Sequence, residues 1–195
     1  MDNILLHSCC APCSIYCVDT LRGEGLEPTS LWFNPNIHPY QEYKARRDTL
    51  LDYGERTDME VRVLDDYGLR DFVRAVAGDI DRRCAHCYAI RLGTAARYAA
   101  ENGFGAFTSS LLISPYQNHE LLRQTGEEMA RQYGVEFLYR DFRPGFREGQ
   151  AKARELGLYM QKYCGCVFSE EERYAKQIQK DKARFGTING IKTTG

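Results

Sequence analysis

Ile4-Leu5-Leu6-His7-Ser8-Cys9-Cys10-Ala11-Pro12-Cys13-Ser14 is an apolar run that ends in small residues and opens onto three closely spaced cysteines. A short apolar run closed by a turn predicts a buried strand over Ile4 to Ser8. A helix follows from about Cys13 to Gly23. Two adjacent cysteines at a strand-to-helix turn are poorly placed to bond each other and well placed to hold something between them.

The same alternation continues outward. Strands are expected at Thr29 to Asn34, closed by Pro35 and Pro39, at Met59 to Leu64, at Ala106 to Leu112 and at Glu136 to Phe142. Helices are expected at about Tyr40 to Gly54, Leu69 to Ala77, Cys84 to Asn102 with Gly103 as its stop, Asn118 to Tyr133, Phe146 to Leu156 and Ser169 to Lys182. Strands alternating with helices predict an α/β fold, an open and mostly parallel sheet flanked by helices. Residues 1–183 read as a single domain. The stretch 184–195 has little apolar content and is expected to fray. In such sheets ligands sit at the carboxyl ends of the strands, which is where the cysteine-bearing loops fall.

With 195 residues, 43% of them hydrophobic and 27% charged, the chain can build an ordinary core without disulfides. No basic amino-terminal segment leads into a long apolar stretch, and no apolar run is long enough to span a bilayer. The expected setting is the cytoplasm, with no membrane partner. Eight cysteines in a reducing compartment read as metal-binding or catalytic. A net charge of −1 does not announce a nucleic-acid binder, although Arg82, Arg83, Arg91, Arg97, Arg140, Arg143, Arg147, Lys152 and Arg154 crowd near the motifs.

Cys84-Ala85-His86-Cys87 places two thiols one helical turn apart. Added to Cys9 and Cys10, it completes four soft, charged donors from two segments, enough for an iron–sulfur cluster or a structural zinc. Spacing alone leaves both metals open; the directly adjacent pair departs from the usual zinc pattern and favours iron–sulfur. Cys13 is left over, either a ligand of a second metal beside the first or a buried thiol. Cys17 reads as core. Cys164-Gly165-Cys166 can close a strained, easily reduced disulfide suited to redox cycling, or supply a ligand. The four histidines are scattered and read as packing or hydrogen-bonding residues, with His86 the exception inside its cysteine loop. A nucleotide-hydrolysing α/β loop would carry Ser-Gly-Gly-x-Asp-Ser after the first strand. Here cysteines and Pro12 replace the glycines whose amides would wrap a pyrophosphate, which argues against ATP.

Five ordered motifs then point to a family: His7 to Cys13; Phe33 to Pro39 with Glu42, Tyr43 and Arg46; Arg83 to Tyr88 with Arg91 and Leu92; Ser109 to Gln117; and Tyr163 to Ser169. Together they resemble the cobalamin-independent epoxyqueuosine reductases of the QueH type, over about residues 4–175. The resemblance implies a nucleotide α-hydrolase-like (HUP) fold used without ATP or cobalamin. It implies reduction of the epoxide of epoxyqueuosine, at the wobble position of a tRNA anticodon loop, to the alkene of queuosine. It implies a [4Fe–4S] cluster on Cys9, Cys10, Cys84 and Cys87, and a second, mononuclear iron that uses Cys13. Epoxide deoxygenation needs two electrons, two protons and a Lewis acid, so an external electron donor is expected, with Cys164 and Cys166 as relay or proton donors. Arg83, Arg91, Tyr116, Arg143 and Arg147 are the candidate tRNA contacts. Against this stand a thiol–disulfide oxidoreductase with a structural zinc, a tRNA-binding module held by zinc, and a tRNA-thiolating enzyme that would need the missing nucleotide loop.

Overall fold

The apolar run at the amino terminus becomes the central strand of the sheet. The computed structural model describes residues 2–185. In it β1 (Asp2–His7) pairs in parallel with β2 (Leu26–Trp32) on one side and β4 (Ala106–Ser109) on the other. β3 (Val61–Val63) and β5 (Glu136–Phe137) form the edges, giving the order β3-β2-β1-β4-β5 with every pairing parallel. Ile4, Leu5 and Leu6 are each at most 1% exposed, as a strand covered on both faces requires. The expected parallel α/β architecture is what the chain adopts.

The helices are α1 (Ala11–Gly23), α2 (Tyr40–Thr57), α3 (Leu69–Val76), α4 (Arg83–Glu101), α5 (His119–Tyr133), α6 (Phe146–Glu155) and α7 (Val167–Phe185). α1 packs on α2 and α6, and α4 packs on α3 and α5, so the sheet lies between two helical layers. Gly145 and Gly126 permit two close approaches. A β-carbon at Gly145 would meet the ring of Tyr16 at 2.2 Å, and one at Gly126 the ring of Phe137 at 2.3 Å.

Several boundaries differ from expectation, β2 beginning at Leu26 and β3 spanning only Val61–Val63 among them. The fourth strand stops at Ser109, and the apolar residues after it coil into a 3-10 turn, Ser110–Ile113. The fifth strand is two residues long rather than seven, because the chain leaves the sheet edge after Leu138, whose N–H donates to the Phe107 carbonyl at 2.9 Å. α7 extends at both ends, to Val167 and Phe185, so Arg184 is helical; the remainder of the stretch expected to fray, 186–195, lies outside the described residues. Among the described residues no helix is long and apolar enough to cross a membrane.

The sheet order reverses direction at β1. From β1 the chain moves outward to β2 and β3, then returns across the sheet to β4. The carboxyl ends of β1 and β4 therefore flank a topological switch point, where open α/β sheets bind ligands.

Candidate metal centre

Cys9 and Cys10 occupy that switch point. Cys10 is the extended residue that caps α1, and Pro12 lies in the first turn of that helix, where its missing N–H costs nothing. The loop after β4 reaches across to hold Cys9. The Ser110 hydroxyl accepts from the Cys9 N–H at 3.0 Å and donates to the Cys9 Sγ at 3.4 Å. The Cys9 and Cys10 sulfurs are 3.8 Å apart, and the sulfurs of Cys9, Cys10 and Cys13 all lie within 4.8 Å of one another. Three soft donors at the amino terminus of a helix, where exposed N–H groups favour negative charge, can hold a metal ion.

Two buried guanidiniums face these sulfurs. Arg91, on α4, is 1% exposed, and its donors reach the Cys87 Sγ at 3.4 Å and the Asn34 Oδ1 at 2.6 Å, with Nε 3.4 Å from the His7 ring. No carboxylate is among its partners. A buried cation left without a counter-ion is strongly unfavourable, and the group near Arg91 that favours negative charge is Cys9, whereas burial pushes the Cys87 thiol up to about 12. Arg46, on α2, is also 1% exposed, and it does have a carboxylate, pairing with Glu42 at 2.6 Å. Its remaining donors go to the main-chain carbonyls of Cys164 at 2.8 Å and Tyr163 at 3.0 Å.

Arg46 thereby fixes the Cys164–Cys166 loop over the cysteine trio. The His38 N–H donates to the Gly165 carbonyl at 2.8 Å, and the Tyr163 hydroxyl donates to the His38 carbonyl at 2.6 Å. Gly165 has φ +154°, and a β-carbon there would meet Ile37 at 3.0 Å, so the loop needs glycine at this point. Two glutamine amides tie the loop to the sulfurs. Gln117 Nε2 donates to the Cys164 Sγ at 3.1 Å while its Oε1 accepts from the Tyr88 hydroxyl at 2.5 Å. Gln161 Nε2 donates to the Cys13 Sγ at 3.2 Å. All eight cysteines are free thiols.

Charge is unevenly distributed over the trio. Hydrogen bonds from Cys10 and Cys13 hold the Cys9 thiol well below the usual thiol range, with Arg91 and Ser110 adding to the effect. Burial pushes Cys10 well up, and Cys13 is raised chiefly by its hydrogen bonds to Cys10 and Cys9. Within the trio negative charge is therefore favoured on Cys9 over Cys10 and Cys13. His7 is pushed down to about 3 by burial and then by Arg91, so it is neutral. Its Nδ1 lies 2.9 Å from the Ser109 hydroxyl, and its Nε2 lies 3.2 Å from the Phe33 carbonyl and 3.4 Å from Arg91 Nε.

Among the described residues the sulfurs close enough together to share a metal ion are those of Cys9, Cys10 and Cys13, and Cys84 and Cys87 stand outside that group. Cys87 is buried beside Arg91, while Cys84 is exposed at the start of α4 and feels Arg83, Cys164 and Cys166. Cys17 is buried and donates to the Cys13 carbonyl at 3.2 Å, a core position. Tyr116 is 85% exposed at the tip of the loop that carries Gln117, and its ring sits edge-on to Phe146. Arg147 is exposed, Arg143 is exposed and paired with Asp141, and Arg83 pairs with Glu172 with its side chain 12% exposed. Arg91 is corrected: its burial and three engaged donor groups remove it from any surface that meets RNA. Gln161 and the exposed Lys162 beside the loop had no sequence signal, while Asn34 and Gln117 lay within motifs but had no assigned role, because an amide or a lysine looks the same in any setting.

A sequence profile described as QueH, Epoxyqueuosine reductase QueH, matches residues 4–172. The chain belongs to the QueH family. It is 37% identical over 174 residues to Epoxyqueuosine reductase QueH of Dehalococcoides mccartyi, covering 89% of this chain and 96% of that protein. It is 32% identical over 200 residues to the protein of that name from Thermotoga maritima, covering 94% and 98%. Its fold is similar to the crystal structure of a predicted subunit of tRNA methyltransferase from Methanocaldococcus jannaschii. That match has a TM-score of 0.55 and 12% identity, over 80% of this chain and 76% of the other. It shows a shared fold alone.

Proposed function

We propose that this QueH-family chain reduces the epoxide of epoxyqueuosine in tRNA to the alkene of queuosine. Two electrons from an external donor and two protons enter; the epoxide oxygen leaves as water. The observation that carries the reading is the buried, carboxylate-free Arg91 facing Cys9 and Cys87, beside three sulfurs within 4.8 Å of one another. A site that needs thiolates to balance a buried cation suits thiolate-bound iron.

The donor set fits the cofactor that the family implies. Cys9, Cys10, Cys84 and Cys87 would hold a [4Fe–4S] cluster. Cys13 would hold a second, mononuclear iron. When bound, such iron supplies one-electron transfer and a Lewis acid for the oxygen. The chain's own residues do the rest. Arg91 and Arg46 offset negative charge at the sulfurs, and Arg46 also seats the Cys164–Cys166 loop. Gln117 orients the Cys164 sulfur, which with Cys166 would relay electrons or deliver a proton. Tyr116 would stack on a base of the anticodon loop, and Arg83, Arg143 and Arg147 would meet its phosphates, helped by Lys162.

Expression in a strain whose tRNA accumulates epoxyqueuosine tests this. Queuosine should appear with the intact chain and not with Cys9→Ser. Unchanged epoxyqueuosine despite a folded, iron-bearing protein would defeat the reading.

A further inference from the structure

α7 is out of keeping with the rest of the fold. It runs for 19 residues, yet none of them is buried. Only its first turns are fastened. Phe168 packs against Phe72 with a centroid distance of 6.4 Å, Arg83 lies over the Phe168 ring, and Arg83 pairs with Glu172. Beyond that point the helix projects from the domain. It starts immediately after Cys166, so its base is the thiol loop itself.

The projecting part carries Arg173, Lys176, Lys180 and Arg184, all exposed. At about 100° per residue these four fall within an arc of about 80°, stepping along the axis by about 4.5–6 Å. Tyr174, Ile178 and Phe185 lie toward the opposite side of the helix, as does Lys182. None of the four stripe cations makes an ion pair among the described residues, and Arg184 only lies over the ring of Phe185. Elsewhere many exposed cations are matched, as in Arg56–Asp52, Arg123–Glu120, Arg140–Glu24 and Lys152–Asp19, and those without an ion pair, such as Arg70, Arg97 and Arg131, are scattered rather than aligned along one helix face. A straight, unpaired row of cations on a rigid rod suits a regular row of anions.

We propose that this face of α7 is an RNA-docking arm, which lies along the phosphate backbone of the base-paired stem next to the reacting nucleotide. The proposal rests on the RNA substrate of the proposed function. The occupant is a stem rather than a single strand, because single strands are gripped largely by aromatic stacking and this stripe has no aromatic residue. Tyr116, at the mouth of the site, supplies stacking for the unpaired loop.

Binding of the full-length protein to a tRNA carrying the target anticodon, measured across a salt series, tests the arm. Each lost phosphate contact lowers the slope of log affinity against log salt by about 0.7–0.9. Arg173→Ala, Lys176→Ala, Lys180→Ala and Arg184→Ala together should lower it by about 3 and weaken binding tenfold or more at about 0.1 M salt. KM for tRNA should rise while kcat at saturation stays within about twofold. A control lacking Arg97, Arg131 and Lys182 should change the slope by less than about 1. If the fourfold variant keeps wild-type affinity and slope while wild type reduces its tRNA, the arm is wrong and the function stands. An equal loss in the control also overturns it, as does failure of wild type to bind tRNA, which removes the proposed function too.

Discussion

Replacing Arg46 with Met keeps most of the side chain's bulk and deletes its guanidinium. The Glu42 carboxylate, 8% exposed, then loses its cation, and the carbonyls of Tyr163 and Cys164 lose their donors. Breaking one side of a buried ion pair costs about 3–5 kcal/mol, because the remaining charge stays buried. Glu42 keeps the Tyr159 hydroxyl as a donor, and water can reach the exposed end of the loop, so the lower figure of about 3 kcal/mol applies. For a chain of this size that lowers Tm by about 6–12 °C. The loop should also come loose, so that the buried Cys166 reacts with a thiol reagent at least about tenfold faster in metal-free protein, the modified residue being located by mass spectrometry. Adding Glu42→Gln to Arg46→Met removes the stranded charge and should restore more than about 1 kcal/mol. A single variant that melts and labels like wild type, or a double variant no better than the single, would refute the role given to this pair.

Arg91→Met should leave the fold intact but lower iron retained through anaerobic purification by about tenfold or more, since second-layer partners tune metal affinity by that order; full iron content would contradict the charge-balance argument. Gly165→Ala strains a φ of +154° and crowds Ile37, so turnover should fall several-fold while secondary structure by circular dichroism is unchanged; wild-type turnover would show that the loop tolerates a side chain. His7 and His38 are both held neutral by burial, their folded pKa values lying below the ordinary value of 6.5. The unfolded chain therefore takes up these protons first, so their contribution is complete above about pH 6.5 and is lost as pH falls below it, at up to about 1.4 kcal/mol per unit for each ring. Urea melts of metal-free protein at pH 7.5 and 5.5 measure this, and equal stability at the two values would refute it.

The fold was legible wherever pattern and burial agree. Ile4 to Leu6 form a central strand, and as neighbours on alternate faces of a sheet covered on both sides all three are buried. Pattern failed where the same letters serve two structures. Leu111, Leu112 and Ile113 are as buried as strand residues yet lie in a 3-10 turn, which is what lets Ser110 reach Cys9. In the site, the sulfurs were legible because thiols at these spacings, in a chain with core enough to need no disulfides, suit little besides metal binding or redox chemistry. Arg91 was misread as a surface contact, since an arginine's role depends on whether its helix face meets solvent or the switch point. The contacts of Gln117, which closes one of the motifs, and of Gln161, which lies in none, were not foreseen because their importance lies in which sulfur they touch.

The central claim is that a nucleotide-type site lined with thiolates now removes oxygen from an epoxide. The most direct measurement incubates anaerobically purified protein with a chemical reductant and tRNA bearing epoxyqueuosine, then weighs the released nucleosides by mass spectrometry. The account predicts loss of a single oxygen atom and appearance of queuosine, abolished in Cys9→Ser. Unaltered epoxyqueuosine in the presence of reductant and fully iron-loaded protein would contradict it.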